Sequence, residues 1–108
     1  KSMKFAYLIM GIFQSESDRA VLQDGMVQII GVADIQDATA VARKLWKDGV
    51  GCIELCGAFG ADGAKKIIEA TQNQIPVGYV THLPEQEAVY QAAFPDDLSR
   101  RMAIDKNN

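Results

Sequence analysis

From residue 26 to residue 94, short apolar segments alternate with longer segments that carry apolar residues at helical spacing. Strands are predicted at residues 26–32, 50–56 and 75–80, and each is followed by a predicted helix. This alternation is typical of a parallel sheet whose strands are joined by helical crossovers. It limits the fold more than any other feature of the chain, because few architectures accept repeated strand-helix units.

An apolar run at residues 3–10, MKFAYLIM, adds a first strand that is predicted to be buried on both faces. Residues 12–25 are polar. The pair Asp24-Gly25 is a hairpin signal that favours pairing of residues 19–23 with the next strand, and a short helix there is the alternative. We expect a small single-domain α/β fold with a mainly parallel sheet of about four strands and about three helices. The arrangement is a half-barrel or a flavodoxin-like βαβαβα unit.

Helix signals are clearest at residues 33–48. Asp34 is the expected N-cap, Asp37 follows three residues later, and Gly49 is the expected C-cap. The basic residues in its second half complement the helix dipole and are assigned no other role: Arg43, Lys44 and Lys47. The face expected to be buried consists of Ile35, Ala38, Ala42, Leu45 and Trp46.

Two further helices are predicted. The first begins at Ala61 or Asp62, and the second begins at Pro84, which suits the first position of a helix. Residues 96–104 are expected to form one or two amphipathic turns, and residues 105–108 are expected to fray. The buried side of the helix after Pro84 is predicted to consist of Val89, Tyr90, Ala93 and Phe94.

Length and charge bound the class of protein. The 108 residues suit one domain, for which Met3 is the expected natural start, and the net charge of -3 comes from interspersed acids and bases. No basic stripe supports a nucleic-acid partner. No apolar run approaches the length of about 20 residues that crosses a bilayer, and no secretory signal pattern is seen, so we expect a cytoplasmic protein without a membrane partner.

The ends of the predicted strands define the candidate site. In open α/β sheets, ligands bind beyond the carboxyl ends of the strands. Gly11 ends the first strand, Glu54 and Cys56 lie at the end of the third, and Thr81 and His82 follow the fourth. We therefore expect Glu54, Cys56 and His82 to converge at one edge of the sheet, where they are candidate catalytic residues.

The glycines after the third strand follow a G-x-x-G-x-x-G spacing at Gly57, Gly60 and Gly63. Glycine permits a positive φ and close backbone approach, and free N–H groups at a helix start attract anions. A small phosphate- or carboxylate-bearing ligand is therefore predicted here, and a tight turn without ligand is the alternative. The candidate ligand-binding residues are Gly11, Arg19, Gly57, Gly60, Gly63 and Thr81.

Glu54 is a carboxylate inside an apolar strand, between Ile53 and Leu55. A buried carboxylate must be paired, hydrogen-bonded or protonated, because isolated ionisation in an apolar setting costs several kcal/mol. The expected partners are His82, Arg19 or the N–H groups of the glycine turn. Both a functional acid or base and a structural ion pair fit the pattern.

Cys56 precedes a helix start and is predicted to lie near His82, an arrangement that suits a thiol nucleophile. An inert buried thiol is the alternative for Cys56 and also for Cys52. His82 follows a strand end, and imidazole changes its protonation near neutral pH. The alternative is a structural histidine that caps the next helix or pairs with Glu54. One histidine and two cysteines of one strand do not have the spacing of a zinc site, so no metal is predicted, and no cofactor is implied.

The segments MKFAYLIMG, IELCGAFG, GAKKI and IPVGYVTHLPE resemble a family of small bacterial and archaeal proteins that is classed as a domain of unknown function. The resemblance extends from Met3 to about Phe94, and the combination of IELCGAFG with VGYVTH is its distinctive part. It implies no activity. The repeated strand-helix units are also similar to part of the phosphate-binding barrels, which is an analogy of fold alone.

Two functions are therefore predicted. The first is binding of a small anionic molecule at the strand ends, with acid-base or thiol chemistry, and whether the protein is an enzyme stays open. The second is a non-catalytic oligomeric or regulatory module. A homo-oligomer is expected because about four strands and three helices leave a face or an edge poorly covered. The residues considered for that contact, with packing on their own sheet as the alternative, are Phe94, Leu98, Met102 and Ile104.

Overall fold

The computed structural model describes residues 3–95. The strands are β1 (Lys4–Met10), β2 (Arg19–Leu22), β3 (Val27–Val32), β4 (Val50–Leu55) and β5 (Val77–Tyr79). The helices are α1 (Ile35–Lys47), α2 (Gly60–Ala70) and α3 (Glu87–Ala93), and short 3-10 turns lie at Gln23–Gly25 and Pro84–Gln86. The predictions for residues 96–108, including contacts by Leu98, Met102 and Ile104, lie outside the described residues.

All five strands belong to one sheet with the order β2-β3-β1-β4-β5. Three neighbouring pairs are parallel, β1 with β3, β1 with β4 and β4 with β5, and β2 is antiparallel to β3. The predicted mainly parallel α/β class is confirmed. The predicted count of about four strands is one too low, because residues 19–22 form the hairpin strand instead of the alternative short helix. Asp24 and Gly25 make the turn, with φ of 54° and 94°.

Helices α1 and α2 pack against each other and against one face of the sheet. On β1, the side chains of Ala6, Leu8 and Met10 point into this core, and those of Phe5, Tyr7 and Ile9 are only half-buried on the opposite face. The prediction that β1 is buried on both faces is therefore wrong. A flavodoxin-like unit has helices on both faces, whereas α1 and α2 both cover the same one.

Helix α1 begins as the sequence predicts. The side chain of Asp34 accepts a hydrogen bond from the Asp37 N–H at 2.7 Å, and Gly49 follows the helix with a φ of 95°. Ala38, Ala42 and Leu45 are buried as expected. Trp46 is predicted on the buried face, but it is half-buried and lies outside the core. The fourth buried residue of the helix is Val41 instead.

Helix α2 starts at Gly60, just before the predicted Ala61 or Asp62. Phe59, at the N-cap, is 1% exposed and anchors the preceding turn in the core. A methyl group on Gly63 would lie 3.0 Å from Phe59 Cβ and 3.3 Å from Ile35 Cδ1. The absence of a side chain at Gly63 thus allows α2 to pack closely against Phe59 and against Ile35 of α1.

Helix α3 lies outside the main core. Its predicted buried side is wrong, because Val89 and Phe94 are 58% and 56% exposed and Ala93 is also exposed. The helix packs on its own 3-10 turn and on His82, through Tyr90, instead of on the sheet. Within residues 3–95, no helix has the length and apolar composition that crossing a bilayer requires.

Candidate functional site

A cavity of about 370 Å³ lies at the carboxyl ends of β1, β4 and β5. This is the edge at which the sequence predicts a site, and we call this cavity the carboxyl-edge pocket. Apolar walls with a few polar groups are typical of small-molecule sites. Its lining consists of Ile9, Cys56, Gly57, Ala58, Val80, Thr81, His82, Tyr90 and Phe94.

His82 is held on two sides. Its Nε2 lies 2.6 Å from Glu87 Oε1, and its ring stacks on Tyr90 with centroids 3.9 Å apart and planes 10° apart. Because a carboxylate only accepts hydrogen bonds, Nε2 carries the proton and Nδ1 is the basic nitrogen. Gln91 Nε2 donates to the other oxygen of Glu87 at 3.0 Å. The imidazole is thus fixed in orientation and tautomer.

Cys56 lies in the same pocket as His82. The N–H of Met10 donates a hydrogen bond to the Cys56 sulfur at 3.3 Å, across the β1–β4 pair. The backbone N–H groups of Gly57 and Ala58 have no acceptor in the part of the chain that the structure describes. The pocket therefore combines a thiol, an oriented imidazole and two backbone donors next to the start of α2.

Glu54 does not line this pocket. Its carboxylate lies across Gly78 on β5, where a Cβ would be 2.8 Å from Oε2. The Cys52 thiol donates to Oε1 with an S···O distance of 3.8 Å. Gly78 gives the carboxylate room on the sheet face that α1 and α2 leave open.

The predicted partners of Glu54 are therefore wrong. His82 pairs with Glu87, and Arg19 Nε donates to the Ser15 carbonyl oxygen. Among residues 3–95, no basic group lies within 4.0 Å of the Glu54 carboxylate. Glu54 is half-buried on an open face, and water reaches the carboxylate there, so an ion pair is not needed.

Glu54 changes the acidity of its neighbours. Burial raises the pKa of the Cys52 thiol, and the Glu54 carboxylate raises it further by its charge and by the hydrogen bond that it accepts. Burial likewise raises the pKa of Tyr7, with smaller contributions from Cys56 and Glu54. Both groups hold their protons at neutral pH, so Cys52 is a poor nucleophile.

Of the other predicted ligand-binding residues, Gly57 and Thr81 line the carboxyl-edge pocket, and four do not. Gly11 lies under the ring of Phe13, and Arg19 lies on β2, at the opposite edge of the sheet from β5. Gly60 has a φ of 63°, which favours glycine at the start of α2, and Gly63 serves helix packing. The glycine spacing thus serves mainly the turn and the packing.

The side chains of residues 3–95 do not form a metal site. No group of three or more histidine, cysteine, aspartate and glutamate side chains there is placed to share a metal ion.

The effect of Glu54 on Cys52 can be measured by thiol labelling. In a Cys56→Ser background, Glu54→Gln removes the charge that holds the Cys52 proton, so the Cys52 pKa should fall and its labelling at about pH 8 should become faster. Glu69→Gln, which replaces a carboxylate on α2 away from Cys52, serves as the control and should leave the rate unchanged. Equal labelling rates before and after the Glu54→Gln substitution would refute the coupling.

Comparisons with known proteins give a family for this chain. Searches of curated proteins and of solved structures returned no significant match. The profile of a family of unknown function (DUF6506) matches residues 3–95, which are most of the chain and include every residue of the carboxyl-edge pocket. The predicted resemblance to a family of unknown function is thereby confirmed, and the chain belongs to this family.

Proposed function

We propose that the protein binds a small molecule with an anionic group in the carboxyl-edge pocket, where His82 acts as the acid-base group. The observation that carries this proposal is the fixed imidazole. His82 is the one histidine of the chain. It is clamped between the Glu87 carboxylate and the Tyr90 ring at the wall of a 370 Å³ cavity. A histidine that only capped the next helix would need no such cavity beside it.

The lining of the pocket favours a ligand with an apolar body and one charged end. Ile9, Val80 and Phe94 offer aliphatic and aromatic surface. In the same pocket, the backbone N–H groups of Gly57 and Ala58 provide donors that a carboxylate or phosphate oxygen accepts.

The oriented imidazole supports proton transfer. With Nε2–H bound to Glu87, Nδ1 is the nitrogen that takes a proton from a ligand or returns one. The Cys56 thiol in the same pocket supplies a nucleophile, and the hydrogen bond from the Met10 N–H fixes the position of its sulfur. Glu54 has no part in this chemistry, because it lies on the sheet face beside Cys52.

Binding is tested by titrating carboxylated and phosphorylated small molecules and measuring the thermal midpoint and the heat of binding. A ligand should raise the midpoint, because it binds only the folded chain. Phe94→Ala should weaken binding, since Phe94 lines the pocket. Val89→Ala is the matched control, because Val89 is equally exposed on α3 but does not line the pocket. His82→Ala should also weaken binding, since the imidazole lines the pocket.

The outcomes separate site from scaffold. A bound ligand should also slow labelling of Cys56 in a Cys52→Ser background, because both occupy the same pocket. Equal affinities in Phe94→Ala and Val89→Ala would place any binding elsewhere on the molecule. If no compound of a broad panel binds, that result would count against the proposal as a whole.

A non-catalytic oligomeric module is the second candidate function. The favouring observation is the open face of the sheet, where Phe5, Tyr7, Ile9 and Ile29 are half-buried opposite the side that α1 and α2 cover. Within residues 3–95, the Phe13 side chain packs over Gly31 and covers part of this face.

Light scattering on a sizing column tests this module. Ile29→Arg should convert an oligomer to a monomer, because it places a charge in an apolar contact. Gln36→Arg is the control and should leave the oligomer intact, because Gln36 is an exposed residue of α1 on the other side of the sheet. A wild-type chain that is monomeric at high concentration would exclude the module.

A further inference from the structure

A second cleft, of about 250 Å³, lies between the second halves of α1 and α2, on the helical layer. It shares no residue with the carboxyl-edge pocket. Both helices end on this side of the sheet, before the starts of β4 and β5, so the cleft lies toward the amino edge of the strands. We call it the interhelical cleft. Its lining includes Arg43, Trp46, Lys47, Lys66, Glu69 and Gln72.

The cations of α1 and α2 fall into two groups. Lys44 and Lys65 lie outside the cleft, and each has a carboxylate partner, Asp48 at 3.4 Å and Asp62 at 4.0 Å. The other three cations line the cleft, and none has an ion-pair partner within residues 3–95: Arg43, Lys47 and Lys66. The cations without partners are thus the ones gathered around the cavity, with Glu69 as the single carboxylate in its lining.

The helix dipole explains only part of this arrangement. A cation stabilises a helix when it lies in the last turn, because the effect falls off within one turn. Lys47 is in the last turn of α1, but Arg43 is not, and the last turn of α2 contains no basic residue. The helix dipole therefore does not account for the placement of Arg43 and Lys66.

Trp46 adds an aromatic surface to this charge. It is the one tryptophan of the chain, it is half-buried, and it lines the cleft instead of joining the core. A guanidinium group binds phosphate oxygens through two parallel hydrogen bonds, and an indole ring stacks on flat heterocycles. The two groups together suit a ligand that carries both a phosphate and a planar base.

We infer that the interhelical cleft binds a nucleoside phosphate, with the phosphates at Arg43 and Lys66 and the base against Trp46. This site is separate from the carboxyl-edge pocket and does not depend on its ligand. A volume of about 250 Å³ has room for part of a nucleoside phosphate, and the remainder of the ligand extends into water from the open cleft.

Fluorescence of the single tryptophan tests the inference directly, because the signal comes from the cleft itself. Titration of the full chain with ADP should give a saturable change in Trp46 emission. Pyrophosphate should displace ADP, adenosine alone should bind much more weakly, and raising the salt to about 0.5 M should weaken ADP binding by screening. A double variant, R43Q with K66Q, should weaken ADP binding at least about tenfold.

The matched control is the double variant K44Q with K65Q. It removes the same charge from the same two helices, but from cations that are already paired outside the cleft, and it should bind ADP within about twofold of the wild type. Thermal midpoints establish that both double variants are folded. The inference is overturned by an absence of any emission change at millimolar ADP. It is also overturned by an equal loss in the two double variants, or by adenosine binding as tightly as ADP.

Discussion

The packing of α1 and α2 against one face of the sheet is the constraint on which the other features depend. Because strand side chains alternate, this one-sided cover seals Leu8, Ile53 and Leu55 in the core and leaves Tyr7 and Glu54 on the opposite face. Cys56 directly follows the end of β4, and it is half-buried against the edge of this core. It therefore lies at the carboxyl edge of the sheet, where the pocket with His82 forms.

The sequence predicts the order of elements well, because hydrophobic periodicity and capping are local signals. The cap at Asp34, the glycine after α1 and the placement of Cys56 and His82 at one edge all follow from such signals. The position of the Glu54 carboxylate beside Gly78 does not, because it depends on which strands are neighbours and in what register. Periodicity within one segment carries no information on either.

Helix α3 shows a second limit of sequence patterns. Its apolar spacing predicts a side buried in the core, yet Val89 and Phe94 stay exposed, and the helix is attached through the stacked rings of His82 and Tyr90. Glu87 lies in the first turn of α3, where a negative charge stabilises the helix dipole. That role alone explains a glutamate at this position, so the sequence gives no sign of its contact with His82, five residues earlier. A residue that satisfies a local rule can still be part of a site.

The protein presents its single imidazole in a fixed orientation at the carboxyl edge of its sheet. Nitrogen NMR of the ring tests it most directly, because His82 is the single histidine and its signals need no further assignment. The structure predicts that the neutral ring is the Nε2–H tautomer, with ring protons shifted upfield by the stacked Tyr90 and a return to ordinary shifts in Tyr90→Ala. An Nδ1–H tautomer, or ring shifts that do not respond to Tyr90→Ala, would contradict it.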